Sequence, residues 1–198
     1  MQLTPEILAR CTGATLDIST RYAPHLDAAM QRFAINTTSS ASCLLGQVAI
    51  ESEGRDGPLS AMEEGLSYSD PNRLRAIFPS LFVRGSYRAE DYVRNPAGLS
   101  QLRYQGYHGR GLLQLTWRDT YAAASKDIGY DYVTHPELVL QPQHAALTAC
   151  WFFAVYKGCL AAAELGDVYT ITGRINGPAR LKLAERKAAT TQAYQVLS

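Results

Sequence analysis

Hydrophobic residues recur every three or four positions along most of this chain, and that spacing predicts amphipathic α-helices. A first helix is predicted to begin at Thr4, whose hydroxyl can cap it ahead of a proline. A second helix is expected to begin near Ser19, and a third is expected to be capped by Ser39 or Ser40. Further helices are predicted over 143–157, 159–165, 167–175 and 180–196. The fold is therefore expected to be mainly α.

The stretch between Gly54 and Gly109 departs from this pattern. Prolines interrupt it, and short helices fit only 71–77 and 89–92. It is rich in aromatic residues, namely Tyr68, Phe78, Phe82, Tyr87, Tyr92, Tyr104 and Tyr107. Such side chains can form a surface that stacks against sugar rings, or they can fill the core of a lobe with little secondary structure. The pattern alone leaves both interpretations open.

The third helix carries an acidic residue on its apolar face. Leu44, Val48 and Glu51 stand at i, i+4 and i+7, so they share one face. An acid in apolar surroundings favours its protonated form, which is the form a general acid needs. Beyond the turn-rich GRDGP segment, Glu63 and Glu64 lie in a more polar setting. This pairing suits glycosidic bond hydrolysis, although a solvent-facing helix end followed by an acidic loop would give the same pattern.

A glycine-rich segment follows. Gly109 and Gly111 flank Arg110, which indicates close backbone approach or positive φ. Neither of the common nucleotide-binding glycine motifs accompanies them, so a nucleotide site is not expected. The LLQL segment that follows is predicted to be extended. Thr116 is predicted to open the next helix as the first residue of a capping box.

Composition narrows the function classes. The chain has 198 residues, of which 46% are apolar and 19% charged, as in a globular domain. With 19 basic and 18 acidic residues and no basic block, neither nucleic acid nor a stable membrane association is expected. No apolar run approaches the ~20 residues that span a bilayer. No signal peptide is recognised either, so a cytoplasmic location in the producing cell is expected.

The cysteine and histidine patterns indicate neither a disulfide framework nor a metal site. The cysteines have no CxxC spacing and lie in apolar contexts, which favours buried free thiols. The histidines form no HxxH, HxxxH or HExxH pattern. No metal and no cofactor is therefore predicted. The cysteines are Cys11, Cys43, Cys150 and Cys159, and the histidines are His25, His108, His135 and His144.

Several short motifs together resemble family 19 of the glycoside hydrolases, the chitinase family. HGRGLLQLTWRDTY is similar to the family's GRG-(P/L)-IQL-(S/T)-x-x-x-x-Y motif, and AIESEG takes the place of its HE(T/S)GG sequence. EEGLSYS is similar to the EENLNYS segment of bacterial and phage members. RNP at 94–96 and TGRING at 172–177 match two further landmarks. The likeness runs from about Ala34 to Arg186 with the motifs in the family's order.

The resemblance implies a lysozyme-like α-helical fold with a larger and a smaller lobe around a cleft. It also implies hydrolysis with inversion, which needs two carboxyl groups ~6.5–9.5 Å apart. Glu51 would be the general acid and Glu63 the base that activates water. The spacing between the two acids leaves Glu64 as a competitor for the base. Thr116 matches a family Ser or Thr that helps to hold the water.

Other matches imply contacts with the substrate. Gln114 and Asn176 match cleft residues that hydrogen-bond sugar amide or hydroxyl groups, and Arg186 matches a basic residue near the acid. The remaining residues expected to contact the substrate or shape the site are Tyr68, Glu64, Tyr107 and Arg110.

Within this family the likeness is to phage endolysins, which share the LTPE opening and a similar length. The chain is predicted to hydrolyse the β-1,4 glycan strand of bacterial peptidoglycan for host cell lysis. It is expected to be a monomer with one catalytic domain over 1–198, a smaller lobe within about 54–108 and no separate wall-binding domain. Access to the wall would need a separate membrane-pore protein. The alternatives are a chitinase acting on poly-N-acetylglucosamine and a non-catalytic glycan-binding protein.

Overall fold

The computed structural model describes residues 2–60 and 62–198, and in these residues the chain is mainly α, as predicted. Three shorter helical segments adjoin the α-helices: 3₁₀ turns over Ala89–Tyr92 and Pro136–Leu140, and a π-helical turn over Phe152–Tyr156. The β structure within the described ranges is confined to isolated bridges. The α-helices are α1 (Pro5–Thr12), α2 (Leu16–Arg32), α3 (Thr38–Glu51), α4 (Pro71–Ile77), α5 (Pro79–Phe82), α6 (Pro96–Tyr104), α7 (Arg118–Ile128), α8 (Pro142–Trp151), α9 (Leu160–Glu164), α10 (Val168–Asn176) and α11 (Leu183–Leu197).

The main core is built around α3, in which every residue from Ser40 to Ala49 is buried. Helix α11 packs closely against it, and Gly46 makes this approach possible. A Cβ atom at Gly46 would lie 2.3 Å from Oγ1 of Thr190, so any side chain there would force the helices apart. Thr38 at the start of α3 contacts Leu197 at the end of α11, and Glu51 at the end of α3 contacts Arg186 near the start of α11, so the two helices are antiparallel.

A second hydrophobic cluster lies within the aromatic-rich stretch. Its buried members come from α4, α5, α6 and the segments before and between them. Phe78 packs edge-on against both Tyr68 and Phe82, with ring centroids 6.0 and 6.4 Å apart. Of the two interpretations of this stretch, the lobe core is therefore confirmed for Phe78 and Phe82, which are buried, while Tyr68, Tyr92 and Tyr104 pack against the cluster partly exposed. The cluster consists of Leu66, Leu74, Phe78, Phe82, Ala89 and Leu99.

Several helix boundaries follow the predictions and several do not. The segments 71–77 and 89–92 form as predicted, whereas α5 and α6 were not predicted. Thr37, rather than Ser39 or Ser40, caps α3, and its partner in the capping box is Ser40. The helix predicted over 143–157 ends as an α-helix at Trp151 and continues as a π-helical turn. The LLQL segment forms turns around a single bridge, not an extended strand.

The cysteines are buried and free, as predicted. Across residues 2–60 and 62–198, none of the helices combines the length and the apolar character needed to cross a membrane.

Candidate active site

Glu51 occupies the last position of α3, where the buried helix reaches a pocket. Its side chain is 17% exposed. Its Oε1 atom accepts a hydrogen bond from Nη2 of Arg186 at 2.8 Å and a longer one from Nδ2 of Asn176 at 3.4 Å. The acid predicted from helix periodicity therefore lies at a pocket, and two residues matched by the family resemblance hold it there.

The surroundings of Glu51 differ from the apolar enclosure that the sequence predicts. Arg186 is 2% exposed, and it also donates to Oε1 of Gln47 at 2.7 Å and to the carbonyl of Leu181 at 2.9 Å. Gln47 is fully buried, and its amide donates to Oγ1 of Thr172. The expectation of apolar neighbours was wrong because α11 supplies a buried guanidinium to the end of α3. A buried carboxylate is normally stabilised by such a partner.

The pocket beside Glu51 has a volume of about 330 Å³. Three of the predicted site residues, Gln114, Thr116 and Asn176, line it beside Glu51, together with three aromatic residues, Trp117, Phe152 and Tyr156. Trp117 and Tyr156 are 44% and 45% exposed, so their rings are accessible to a ligand. Amphipathic rings beside polar groups are typical of sites that bind sugars.

Thr116 does not cap a helix. Its hydroxyl donates to the carbonyl of Gln114 at 2.7 Å, and Trp117, at φ 75°, precedes α7 without a side-chain cap. The predicted capping box is therefore wrong. The hydroxyl is held instead in the wall of the Glu51 pocket, where its oxygen can still accept a hydrogen bond.

Glu63 and Glu64 line a second pocket, of about 430 Å³. Oε1 of Glu63 accepts hydrogen bonds from Nε2 of His108 at 2.8 Å and from Nε of Arg110 at 3.2 Å. Among the described residues, Oε2 of Glu63 has no hydrogen-bond partner. The side chain is 48% exposed, so this oxygen is available to water.

Both carboxylate oxygens of Glu64 are engaged. Oε1 accepts from the hydroxyl of Tyr104 at 2.8 Å, and Oε2 accepts from the backbone amide of Gly109 at 3.1 Å. Burial, followed by the hydrogen bond to Glu64, raises the pKa of Tyr104. The phenol therefore remains protonated at neutral pH and acts as the donor.

His108 and Arg110 position Glu63. Because Nε2 of His108 donates to Glu63, Nδ1 is free to accept, and Ser100 lies 2.6 Å from it through Oγ. Arg110 is 8% exposed and also donates to the hydroxyl of Tyr121. Arg110 thus anchors Glu63 to the 108–117 turn.

The turn over 108–117 contributes residues to both pockets. A Cβ at Gly109 would lie 2.8 Å from Oε1 of Gln114, so glycine lets the two sides of the turn meet. Gly111 has φ 76°, and a Cβ there would lie 2.8 Å from Cγ1 of Val139. The predicted need for glycine on both sides of Arg110 is confirmed.

Three predicted residues, Tyr68, Tyr107 and Arg186, do not line either pocket, and Arg186 contacts Glu51 from the buried side. The Tyr107 ring packs 5.3 Å from that of Tyr121, and its hydroxyl donates to the carbonyl of Val133, so it supports the turn from behind. The Tyr68 ring packs against Phe78 in the smaller hydrophobic cluster. Tyr68 remains partly exposed at the edge of this cluster, so its contact with substrate stays a prediction.

Sequence reasoning missed His108, Tyr104, Lys157 and Gln47. His108 stands directly before the GRG motif, so its position beside the turn was a usable signal. Tyr104 and Gln47 carried none, because their contacts are with residues distant in sequence. Lys157 carried none, because its local sequence pattern does not indicate that it lines a pocket.

The mainly α fold and the two pockets with acidic residues suit a glycoside hydrolase. A sequence profile described as chitinase class I, family 19 of the glycoside hydrolases, matches residues 77–189. This is more than half of the chain, and the chain belongs to that family. The matched range contains the 108–117 turn, Asn176 and Arg186 but not Glu51 or Glu63, so the roles of both acids remain predictions.

Curated relatives match shorter stretches. A glycosyl hydrolase family 19 domain-containing protein of Haemophilus influenzae is 42% identical over 72 residues, which are 36% of this chain and 33% of that protein. Chitinase 4 of Oryza sativa is 44% identical over 48 residues, 24% of this chain and 17% of that protein. The chain therefore spans a third or less of the length of these relatives.

Solved structures share the fold over nearly the whole chain. Chitinase C from Streptomyces griseus superposes with a TM-score of 0.65 at 21% identity, covering 98% of this chain and 76% of the chitinase. A bacterial family 19 chitinase gives a TM-score of 0.63 at 21% identity, covering 100% of this chain and 96% of that one. At this identity the likeness concerns the fold alone.

Proposed function

We propose that this chain is an endolysin that hydrolyses the β-1,4 glycan strand of bacterial peptidoglycan by an inverting general acid/base mechanism. One observation carries the proposal: two carboxylate pockets flank a single turn, 108–117, in a chain of family 19. Inverting hydrolysis needs an acid on one side of the glycosidic bond and a base on the other.

Glu51 is the proposed general acid. Its Oε1 is committed to Arg186 and Asn176, whereas among the described residues Oε2 has no partner. When Glu51 carries a proton, Oε2 is therefore the oxygen that presents it to the leaving glycosidic oxygen. A sugar bound against Trp117 and Tyr156 would displace water from this pocket, which strengthens the electrostatic interactions within it.

Glu63 is the proposed base. Two donors fix its Oε1, and its Oε2 can accept a hydrogen bond from the attacking water. Thr116 donates its proton to a backbone carbonyl, so its lone pairs can help to hold that water. The carboxyl groups of Glu51 and Glu63 are expected to be ~6.5–9.5 Å apart in the productive complex.

Glu64 is the competing base. It lines the same pocket as Glu63, but each of its oxygens already accepts a hydrogen bond from a protein donor. A base must exchange protons with water, and the free oxygen of Glu63 suits that task better.

The proposal that the protein lyses bacterial cells rests on the resemblance to phage endolysins. The protein would be made in the cytoplasm as a monomer with a single catalytic domain. It would reach the wall after a separate membrane-pore protein opens the membrane. The glycan strand of the wall would then be its substrate.

The second candidate function is that of a chitinase. The names of the Oryza sativa relative and of the Streptomyces griseus structure favour it. Chitin and peptidoglycan share the N-acetylglucosamine unit, so an aromatic-lined pocket with amide-binding groups suits both.

The test is digestion of purified peptidoglycan and of colloidal chitin by the wild type and the Glu51→Gln variant. The wild type should release muropeptides whose mass spectra show a new reducing end, and Glu51→Gln should lose ~10²–10⁴-fold of this activity. Glu53→Gln is the matched control, because Glu53 forms an exposed ion pair with Lys182 outside the pocket. Wild-type activity confined to chitin would overturn the endolysin proposal, unchanged digestion by Glu51→Gln would remove Glu51 as the general acid, and binding of both polymers without release of any product would favour a glycan-binding protein.

A parallel pair of variants assigns the base. Glu63→Gln should abolish turnover while substrate still binds, and Glu64→Gln should lower it less. The reverse order would transfer the role of the base to Glu64.

A further inference from the structure

We infer that Lys157 forms a binding site for a carboxylate on the glycan, so that the Glu51 pocket selects an acidic saccharide over an uncharged one. The inference rests on the proposed function and names the substrate class of the same site. The ligand chemistry is a carboxylate carried by a muramic acid residue.

Lys157 is a half-buried cation in the wall of the Glu51 pocket. Its ammonium lies 5.0 Å from the ring centroid of Phe152 and 5.6 Å from that of Tyr156. Within the described part of the chain, no carboxylate lies within ion-pair distance of it. Contacts with aromatic faces orient an ammonium group but do not neutralise its charge.

The charges around the pocket do not cancel. Glu51 is the one acidic side chain among the described residues that line it, and Arg186 already pairs with this carboxylate. Lys157 therefore contributes an uncompensated positive charge. A positive charge in a partly enclosed pocket attracts an anionic group of the ligand.

The backbone fixes the position of Lys157. The π-helical turn over Phe152–Tyr156 ends at this residue, whose amide donates to the carbonyl of Phe152 at 2.8 Å. The extra residue of a π-turn changes the direction of the following side chains, and such turns recur at functional sites. The Tyr156 ring in turn packs 5.2 Å from that of the buried Trp151. The ammonium is thus held in the pocket wall by a braced segment.

The two candidate substrates differ in the group that this cation would recognise. Poly-N-acetylglucosamine carries no charge. Muramic acid carries a lactyl ether, whose carboxyl group is free or is extended by a peptide that bears further carboxylates. A charge-assisted hydrogen bond from Lys157 to either carboxylate would distinguish peptidoglycan from chitin.

The experiment compares Lys157→Met with Lys157→Arg, because methionine keeps an apolar stem over the rings and arginine keeps the charge. Lys187→Met is the control: Lys187 is exposed on α11 and does not line the Glu51 pocket. The substrates are intact peptidoglycan, amidase-stripped glycan strands with free lactyl carboxylates, and chitohexaose. The readout is the ratio of kcat/KM on each acidic substrate to that on chitohexaose.

Lys157→Met should lower this ratio about tenfold, as expected for the loss of a hydrogen bond to a charged group. Lys157→Arg should retain most of the ratio, and Lys187→Met should leave it within about twofold. If Lys157→Met lowers the ratio only for stripped strands, Lys157 binds the lactyl carboxylate. If it lowers the ratio only for intact peptidoglycan, Lys157 binds a carboxylate of the stem peptide. An unchanged ratio on both acidic substrates would overturn the inference.

A second measurement separates this inference from the proposed function. Muramic acid disaccharides are added as inhibitors of chitohexaose cleavage by the wild type and by Lys157→Met. Suppose that the wild type cleaves chitin alone, and that the disaccharide still inhibits the wild type more strongly than it inhibits Lys157→Met. In that case the endolysin proposal fails and the carboxylate site stands. Equal inhibition of the two proteins, or none, contradicts the carboxylate site.

Discussion

Replacing Arg186 by methionine removes the buried cation that joins α11 to the end of α3. The substitution deletes the hydrogen bonds to Glu51, Gln47 and the carbonyl of Leu181. Breaking a buried ion pair by removing one partner costs about 3–5 kcal/mol. Glu51 is 17% exposed and keeps some access to water, so the lower end of that range, about 3 kcal/mol, applies.

For a chain of this size, a loss of about 3 kcal/mol lowers Tm by about 6–12 °C. Urea unfolding followed by circular dichroism measures the free energy directly. Lys182→Met is the control, since it breaks an exposed pair with Glu53 that is worth at most about 1 kcal/mol.

The double variant, which combines Glu51→Gln with Arg186→Met, completes a double-mutant cycle that measures the coupling between Glu51 and Arg186. Removing the carboxylate relieves the unpaired charge, so the double variant should be more stable than Arg186→Met alone. The reasoning is refuted if Arg186→Met unfolds within about 1 kcal/mol of the wild type. It also fails if the double variant shows no recovery, because Glu51 and Arg186 would then not be coupled.

Three further predictions follow from the turn, the core and the second pocket. Gly111→Ala should destabilise the fold by about 2–4 kcal/mol, because it combines positive φ with a clash at Val139; thermal unfolding checks this, and an unchanged Tm contradicts it. Burial raises the pKa of the thiols of Cys11, Cys43 and Cys159 from 9.0 to about 11, so the folded state keeps protons that the unfolded chain releases. The stability that these thiols contribute should therefore be fully present below about pH 9 and should be lost as the pH rises to about 11. A urea midpoint that does not change across that pH range would contradict this prediction. Tyr104→Phe should lower kcat severalfold with a stability change of about 1 kcal/mol, since only one hydrogen bond to Glu64 is lost; a loss as large as that of Glu63→Gln would contradict the assignment of the base.

Local signals were sufficient to predict much of the fold. A proline after a capping residue marked the start of α1 at Thr4, and the helix predicted over 167–175 forms as α10 with Asp167 as its cap. Helix periodicity placed Glu51 in register with Leu44 and Val48, and both leucine and valine are fully buried. Such features depend on neighbours within a few residues, which sequence patterns describe well.

The surroundings of Glu51 could not be predicted in the same way. Its ion-pair partner is 135 residues away, and the contact exists because Gly46 lets α11 approach α3. Periodicity identifies the face of a helix that is buried but not the helix that covers it. The family resemblance pointed to Arg186, and the packing of α11 gives the physical reason for its position.

Thr116 shows how a local signal can fail. Its spacing to an acidic residue is that of a capping box, but the tight turn offers the carbonyl of Gln114 as a nearer acceptor. Trp117 then adopts positive φ, so α7 begins without the predicted cap. The closely packed segment that contains Gly109 and Gly111 forms a turn, and in this turn the hydroxyl of Thr116 bonds to a carbonyl instead of capping α7.

The anomeric configuration of the first product tests the central claim, that Glu51 and Glu63 act on opposite sides of the glycosidic bond. A soluble fragment of the cleaved glycan is digested in an NMR tube, and the new reducing end is observed before it equilibrates. Direct attack of water opposite the leaving group predicts that the α-anomer of the sugar appears first from the β-linked strand. Initial formation of the β-anomer would indicate retention and would contradict the assignment of Glu63 as a base that activates water.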